Sequence, residues 1–211
     1  IYTDFNEAIS KDGYKLFLKK LYEYGFTVIQ NCKTEMSSVE KIAKKIGYVR
    51  ESIFGGLWSF ESNEDKADSA YTQEELRPHT DSTYSNDAPG LQLLLCCHYK
   101  ASGGDSIMVD GFKIAEKIKN EKKEIYDLLT QIEVTGQYIG DGVFLKAKRP
   151  IFRVNSDSEL IQVSFNNYDR APFKFSEDKT KKFYEAIKEF DLIANNKESV
   201  SYTHLTLPTK A

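Results

Sequence analysis

Leu76-Arg77-Pro78-His79-Thr80-Asp81 is followed by Ala88-Pro89-Gly90-Leu91-Gln92-Leu93-Leu94-Leu95-Cys96 and then by Ser102-Gly103-Gly104-Asp105-Ser106-Ile107-Met108-Val109-Asp110-Gly111-Phe112. In an extended strand residues two apart point to one face, so His79 and Asp81 can present an imidazole and a carboxylate to the same metal ion. A third ligand, usually another histidine, would complete a facial triad with open coordination positions. Taken alone, the pair is better read as a solvated histidine beside an aspartate. Its context reverses that judgement: Pro89-Gly90 is a turn feeding a buried strand, and Gly103-Gly104 is a second turn before a hydroxyl residue and another strand.

Outward from this stretch, residues from about Val49 to Val109 form short β-prone segments broken by Gly55-Gly56, Pro78, Pro89-Gly90 and Gly103-Gly104, which predicts a β core. Helices flank it. Leu16, Phe17, Lys20, Leu21 and Tyr24 follow Asp12 at near-helical spacing, and Gly25 stops the helix before the strand Phe26-Thr27-Val28-Ile29. Ser37-Ser38-Val39-Glu40 fits a capping box ahead of the stripe Val39, Ile42, Ala43 and Ile46, closed by Gly47. Asp110 can cap a helix through Phe112, Ala115 and Ile118, and Ile125, Leu128 and Leu129 give a second amphipathic stretch. Strands are expected around Val134, Phe152 and Leu160 to Phe165, and a last helix from about Glu177 to Ala194 with Phe183, Ile187 and Phe190 on one face.

With 211 residues, 40% hydrophobic and 29% charged, the chain can bury one sizeable core, expected to span residues 1–199 as a single domain. A net charge of −3, with Lys and Glu scattered rather than blocked, leaves no electrostatic footprint for nucleic acid or an anionic membrane, so a small-molecule substrate is expected. No apolar run approaches a membrane span. The start Ile1-Tyr2-Thr3-Asp4 shows neither a targeting signal nor an initiator Met, so the N-terminus is expected to be truncated. Cys32, Cys96 and Cys97 make an odd number, and the adjacent pair would face opposite sides of a strand; a reducing compartment, the cytoplasm or the mitochondrial matrix, is expected.

The order His-x-Asp, strand, Gly-Gly turn, hydroxyl residue, strand resembles that of the double-stranded β-helix (jelly-roll) dioxygenases. In particular it resembles the γ-butyrobetaine/trimethyllysine dioxygenase family of TauD-like Fe(II)/2-oxoglutarate enzymes. The resemblance runs from about Tyr2 to Ser199. It includes Ile53-Phe54-Gly55-Gly56-Leu57-Trp58, Ala67-Asp68-Ser69-Ala70-Tyr71-Thr72, His79-Thr80-Asp81-Ser82-Thr83-Tyr84 and Phe165-Asn166-Asn167-Tyr168-Asp169-Arg170-Ala171. It implies an α+β fold, mainly β with flanking helices. It further implies Fe(II) as the metal cofactor, 2-oxoglutarate and O2 as co-substrates, ascorbate as reductant, and suggests a homodimer.

By the same resemblance His79 and Asp81 match iron ligands, and Ser106 matches the hydroxyl that holds the distal carboxylate of 2-oxoglutarate. Phe54, Trp58 and Tyr71 match an aromatic cage for a trimethylammonium group, which donates no hydrogen bond and is recognised by ring faces. Ordinary core packing is the alternative for Phe54 and Trp58. Asp68 stands where the butyrobetaine enzyme carries Asn, and an acid there can pair with an α-ammonium; Ser82 replaces a bulky aromatic of that enzyme. Asn166 and Asn167 match positions near the substrate carboxylate, with a strand-end role as the alternative, and Arg170 reads equally as a surface charge. The implied reaction is C3 hydroxylation of N6-trimethyllysine, the first step of carnitine biosynthesis. The alternatives are γ-butyrobetaine hydroxylation and a non-catalytic quaternary-ammonium-binding β-helix domain.

Residues 200–211 differ in kind. Val200-Ser201-Tyr202-Thr203-His204-Leu205-Thr206-Leu207-Pro208-Thr209 carries no formal charge with His neutral and looks like a translated transposon adapter, so it is expected to be non-native. A genuine terminal strand is the alternative. His204 is therefore not taken as the third ligand, and His98, which lacks a carboxylate two residues on, is expected to be an exposed strand-end residue. The third histidine and the arginine that binds 2-oxoglutarate are expected to be missing from the chain, leaving the β-helix incomplete at its C-terminus.

Overall fold

The computed structural model describes residues 1–61, 75–98 and 106–196, together with the backbone of 203–205. Asp68, Tyr71 and the Gly103-Gly104 turn lie outside the described residues. The chain divides into two compact units, Ile1–Phe60 with Gly90–Gly103 and Leu207–Ala211, and Glu61–Pro89 with Gly104–Thr206.

In the first unit, β1 (Tyr2–Asp4) runs into α1 (Phe5–Ile9), α2 (Gly13–Tyr24), β2 (Val28–Gln30) and α3 (Met36–Ile46), and β1 pairs with β2 in parallel. Asp4 caps α1 by accepting the Asn6 N–H at 2.8 Å. Gly25 ends α2 in the left-handed conformation, φ 72°, with its N–H donated to Leu21 O, as the sequence predicts. The buried stripe of α2 is Tyr14, Phe17, Leu18 and Leu21, an i, i+3, i+4, i+7 set, whereas the expected Leu16 and Tyr24 are off that stripe and exposed. The capping box at Ser37 does not form. α3 begins at Met36, Ser37 Oγ bonds Glu35 at 2.8 Å, and Glu40 pairs instead with Lys44.

The run Leu91–Cys96 also departs from expectation. An apolar run predicts a strand covered on both faces. Leu93 does pack against the core of Phe5, Ala8, Phe17 and Ile42, but Leu91 and Leu94 are exposed, and no strand pairs with this run among the described residues.

The second unit contains β3 (Ser106–Met108), α4 (Gly111–Glu121), α5 (Lys123–Gln131), β4 (Glu133–Gly140), β5 (Val143–Pro150), β6 (Phe152–Val154), β7 (Leu160–Val163), α6 (Glu177–Ala194) and β8 (Thr203–Leu205). The class is α+β, and the strands pair two by two: β4 with β5, β6 with β7, and β3 with β8, all antiparallel. The pairing sets Ile107 opposite His204. The core is built where α4, α5 and α6 meet β6, around Ile114, Ile118, Leu129, Phe152 and Phe183, with Phe165 and Phe190 ring to ring at 4.2 Å.

Asp110 caps α4 as expected, its Oδ1 accepting the N–H of Phe112 at 2.9 Å and of Lys113 at 3.0 Å. Asp110→Ala should therefore lower stability by about 1 kcal/mol, read as a drop in Tm; an unchanged Tm would remove the cap from the account. β5 is an element the sequence reading did not place. It closes on β4 through Asp141 and Gly142 (φ 50° and 79°), the backbone of a two-residue hairpin turn.

Candidate metal site

The segment 79–81 is held in place by Phe165, 85 residues away. Thr80 donates its N–H to Phe165 O at 2.7 Å, and Phe165 N–H returns to Thr80 Oγ1 at 2.9 Å. Residues 79–81 lie in an irregular segment rather than the expected strand, and that bond anchors Thr80 between the two expected ligands. Their side chains meet as the spacing predicts, with His79 Nε2 at 3.2 Å from Asp81 Oδ1. His79 Nδ1 lies 2.8 Å from the Arg77 carbonyl, which can only accept, so Nδ1 carries a proton; Nε2 faces the Asp81 carboxylate, another acceptor, where a proton in the metal-free chain or a bound metal would sit between them.

This geometry fits a divalent metal. Bonds of about 2.1 Å to N and O at right angles separate two donor atoms by about 3 Å, close to the observed gap. A ligating histidine also typically donates its other N–H to a carbonyl, as His79 does. In the metal-free state the Asp81 carboxylate raises the His79 pKa above the ordinary imidazole range; burial opposes this, while the Arg77 carbonyl and Asp169 reinforce it. Among the described residues no set of three His, Cys, Asp or Glu is gathered on a metal position, and His98 is exposed.

Tyr168 and Asp169 belong to the turn 166–170, whose motif in the sequence points only to its asparagines and arginine. Asn166 Oδ1 accepts the Tyr168 N–H at 2.8 Å, and Asn166 Nδ2 donates to Asp169 Oδ2 at 2.9 Å, so this amide is committed to its own turn. Asn167 is exposed. Asp169 Oδ2 also accepts from Thr83 Oγ1 at 3.3 Å, and its carbonyl accepts the Gln137 N–H of β4 at 2.7 Å. The signal for this turn was the Asn-x-x-Asp spacing, since Asn side chains bond their own backbone two residues on. Arg170 is no ordinary surface charge: its guanidinium sits 5.0 Å from the Tyr184 ring centroid and 5.3 Å from that of Phe173.

The other expected site residues fall in both units. Ser106 and Met108 share a face of β3, with Ser106 half-buried. Phe54 and Trp58 belong to the first unit, where Ser52 and Gly55 exchange backbone hydrogen bonds around a tight turn with Gly55 at φ 92°. Their rings are 5.6 Å apart and tilted by 30°, with Trp58 44% exposed, too open for a core tryptophan. A hollow of about 580 Å³ is lined by Glu75, Arg77, Asp191, Leu192, Asn195 and Asn196, none of them an expected site residue.

Comparison with known proteins decides the family. The profile of the taurine catabolism dioxygenase TauD, TfdA family matches residues 2–207. The chain belongs to the TauD/TfdA family. This TauD/TfdA chain is 36% identical over 199 residues to the trimethyllysine dioxygenase of Meyerozyma guilliermondii, covering 92% of the chain and 49% of that protein. It is 33% identical to the mitochondrial trimethyllysine dioxygenase of Rattus norvegicus, over 77% of the chain and 40% of the relative. It is 29% identical to the γ-butyrobetaine dioxygenase of Homo sapiens, over 93% of the chain and 52% of the relative. The chain thus spans about half the length, or less, of the curated relatives it matches.

Proposed function

We propose that this chain is the part of an Fe(II)/2-oxoglutarate dioxygenase that carries two of its iron ligands, His79 and Asp81, and that the whole enzyme hydroxylates N6-trimethyllysine at C3, the first step of carnitine biosynthesis. The observation that carries the reading is the 3.2 Å approach of His79 Nε2 to Asp81 Oδ1 with Nδ1 tied to a carbonyl. Membership of the TauD/TfdA family supports a double-stranded β-helix as the fold of the whole enzyme. The higher identity to trimethyllysine than to γ-butyrobetaine dioxygenases supports the substrate.

Iron, with 2-oxoglutarate and O2, would supply the oxidising power to replace a C–H bond by C–OH. His79 and Asp81 hold it, the Arg77 carbonyl selects the imidazole nitrogen, and Ser106 is assigned to the distal carboxylate of 2-oxoglutarate. Phe54, Trp58 and Tyr71 are assigned to the trimethylammonium group and Asp68 to the α-ammonium. Asn166 and Asn167 are assigned to the substrate carboxylate, and engagement of the Asn166 amide in its own turn supports the larger share for Asn167.

Trimethyllysine and γ-butyrobetaine share a quaternary ammonium and a carboxylate, so the α-ammonium and chain length must discriminate between them. In the enzyme expressed from the open reading frame that carries this chain, Asp68→Asn should cost trimethyllysine about 1.5–3 kcal/mol in kcat/KM, the value of a charge-assisted hydrogen bond, and leave γ-butyrobetaine nearly unchanged. Trp58→Ala should weaken both substrates by about 0.5–2 kcal/mol. Succinate release coupled to each hydroxylated product is the measurement. Equal losses for both substrates in Asp68→Asn would return γ-butyrobetaine as the substrate, and binding of either without turnover would favour a non-catalytic domain.

A further inference from the structure

Resting on the reading of His79 and Asp81 as metal ligands, we propose that the Tyr168 hydroxyl is a positioning group for His79, acting through the backbone of Arg77. Tyr168 Oη accepts the Arg77 N–H at 3.0 Å, from 91 residues away in sequence. The carbonyl of the same Arg77 accepts the His79 Nδ1–H at 2.8 Å. One residue therefore carries both bonds: the hydroxyl fixes its N–H, and its carbonyl fixes the imidazole. That carbonyl decides which ring nitrogen faces Asp81, because an imidazole left unpartnered can present either tautomer.

The local sequence leaves few other anchors. Residue 78 is Pro, which has no N–H to bond, and its ring disfavours helical backbone at Arg77 without fixing the direction of the Arg77 peptide. The Arg77 side chain points its guanidinium to Asp191, at 3.0 Å, and so ties down the tip of the residue rather than its peptide. Tyr168 is itself firmly set. Its N–H is held by Asn166 Oδ1 at 2.8 Å, the next residue bonds Gln137 of β4, and its ring stands edge-on to the His79 ring at 6.0 Å. Tyr168 is 48% exposed, so its hydroxyl is not needed to satisfy a buried core.

The test is Tyr168→Phe, which keeps the ring and removes only the hydroxyl, in the protein expressed from the open reading frame that carries this chain. Mn(II) affinity is measured by titration calorimetry, and the visible absorption of the Co(II) form reports ligand geometry. Loss of a group that bonds a ligand directly weakens metal binding by about 10–100-fold. Acting one residue further back, Tyr168→Phe should weaken Mn(II) by about 3–10-fold and shift the Co(II) bands, with Tm unchanged. Tyr22→Phe, on a fully solvent-facing tyrosine, is the control and should alter neither. Unchanged Mn(II) affinity and an unchanged Co(II) spectrum, in a protein where His79→Ala abolishes binding, would overturn the positioning role alone. Wild-type Mn(II) affinity in His79→Ala would overturn the metal reading and this inference with it.

Discussion

His79→Ala and Asp81→Ala should each lower coupled turnover of the enzyme by more than about a hundredfold, the most that loss of an outer-shell partner ordinarily costs. Both side chains point to one spot, 3.2 Å apart, so removing either leaves this segment with a single donor for the metal. Asp81→Glu should be nearly as damaging, because the longer arm carries the carboxylate away from Nε2. Wild-type rates in any of the three would end the metal assignment.

The same pair gives two pH dependences of opposite sign. Asp81 raises the His79 pKa in the metal-free protein, so a proton competes with metal for Nε2 to a higher pH than an ordinary imidazole allows. Metal affinity should rise with pH through that raised value and level off above it. Stability of the metal-free protein runs the other way. A pKa higher in the folded than in the unfolded chain gives stability that is fully present below the unfolded value of about 6.5. It is lost as pH rises through the folded value. Denaturant midpoints without metal and Mn(II) titrations across the same pH range measure the two slopes, and His79→Ala should flatten both.

The parts of this molecule legible in the sequence are those set by neighbours a few residues apart. α6 keeps the bounds its apolar period gives, Asp110 caps α4, and Gly25 turns α2 off, because each depends on a 3.6-residue stripe or a single local bond. The His-x-Asp pairing is local in the same sense, since the two side chains meet from positions two apart, although the segment that carries them is not the strand expected. Other readings failed because a competing partner was available. Glu40 is one turn from Lys44 and pairs with it, so the capping box loses its acid. Leu91–Cys96 has the composition of a covered strand, but a strand exists only by pairing, and composition does not name the partner.

Support for the site comes from far away in the chain. Phe165 holds Thr80, Tyr168 holds Arg77, and Asp169 holds Thr83, at separations of 85, 91 and 86 residues. No periodicity reports such contacts, and the family resemblance, which brought the 165–171 stretch to notice, pointed to its asparagines rather than to Tyr168 and Asp169. β5 is a different failure: Asp141-Gly142 between apolar alternations was a readable hairpin signal.

Gly136→Ala should destabilise the protein by about 2–4 kcal/mol, beyond the usual cost of an overfilled core site, and weaken metal binding as a consequence. Gly136 lies in the middle of β4, where glycine ordinarily costs stability, so its presence needs a reason. A Cβ built there would run into the carbonyl and the Oγ1 of Thr83, two residues after Asp81, the proposed metal ligand. The carbonyl is backbone and cannot rotate away as a side-chain tip can. On its other edge Gly136 is bridged to Arg170, flanked by the bonds from Gln137 N–H to Asp169 O and from Ala171 N–H to Thr135 O. One methyl group therefore presses on the Thr83 segment that follows the proposed ligands, while the same residue is held on its edge by the turn. Relief requires β4 to retreat from Thr83, which separates Tyr138 from Tyr84, now 5.2 Å apart ring to ring. Denaturant unfolding with and without Mn(II) measures both effects. Wild-type stability in Gly136→Ala would show that β4 and the Thr83 segment are not in contact, and would remove the hairpin from the support of the metal site.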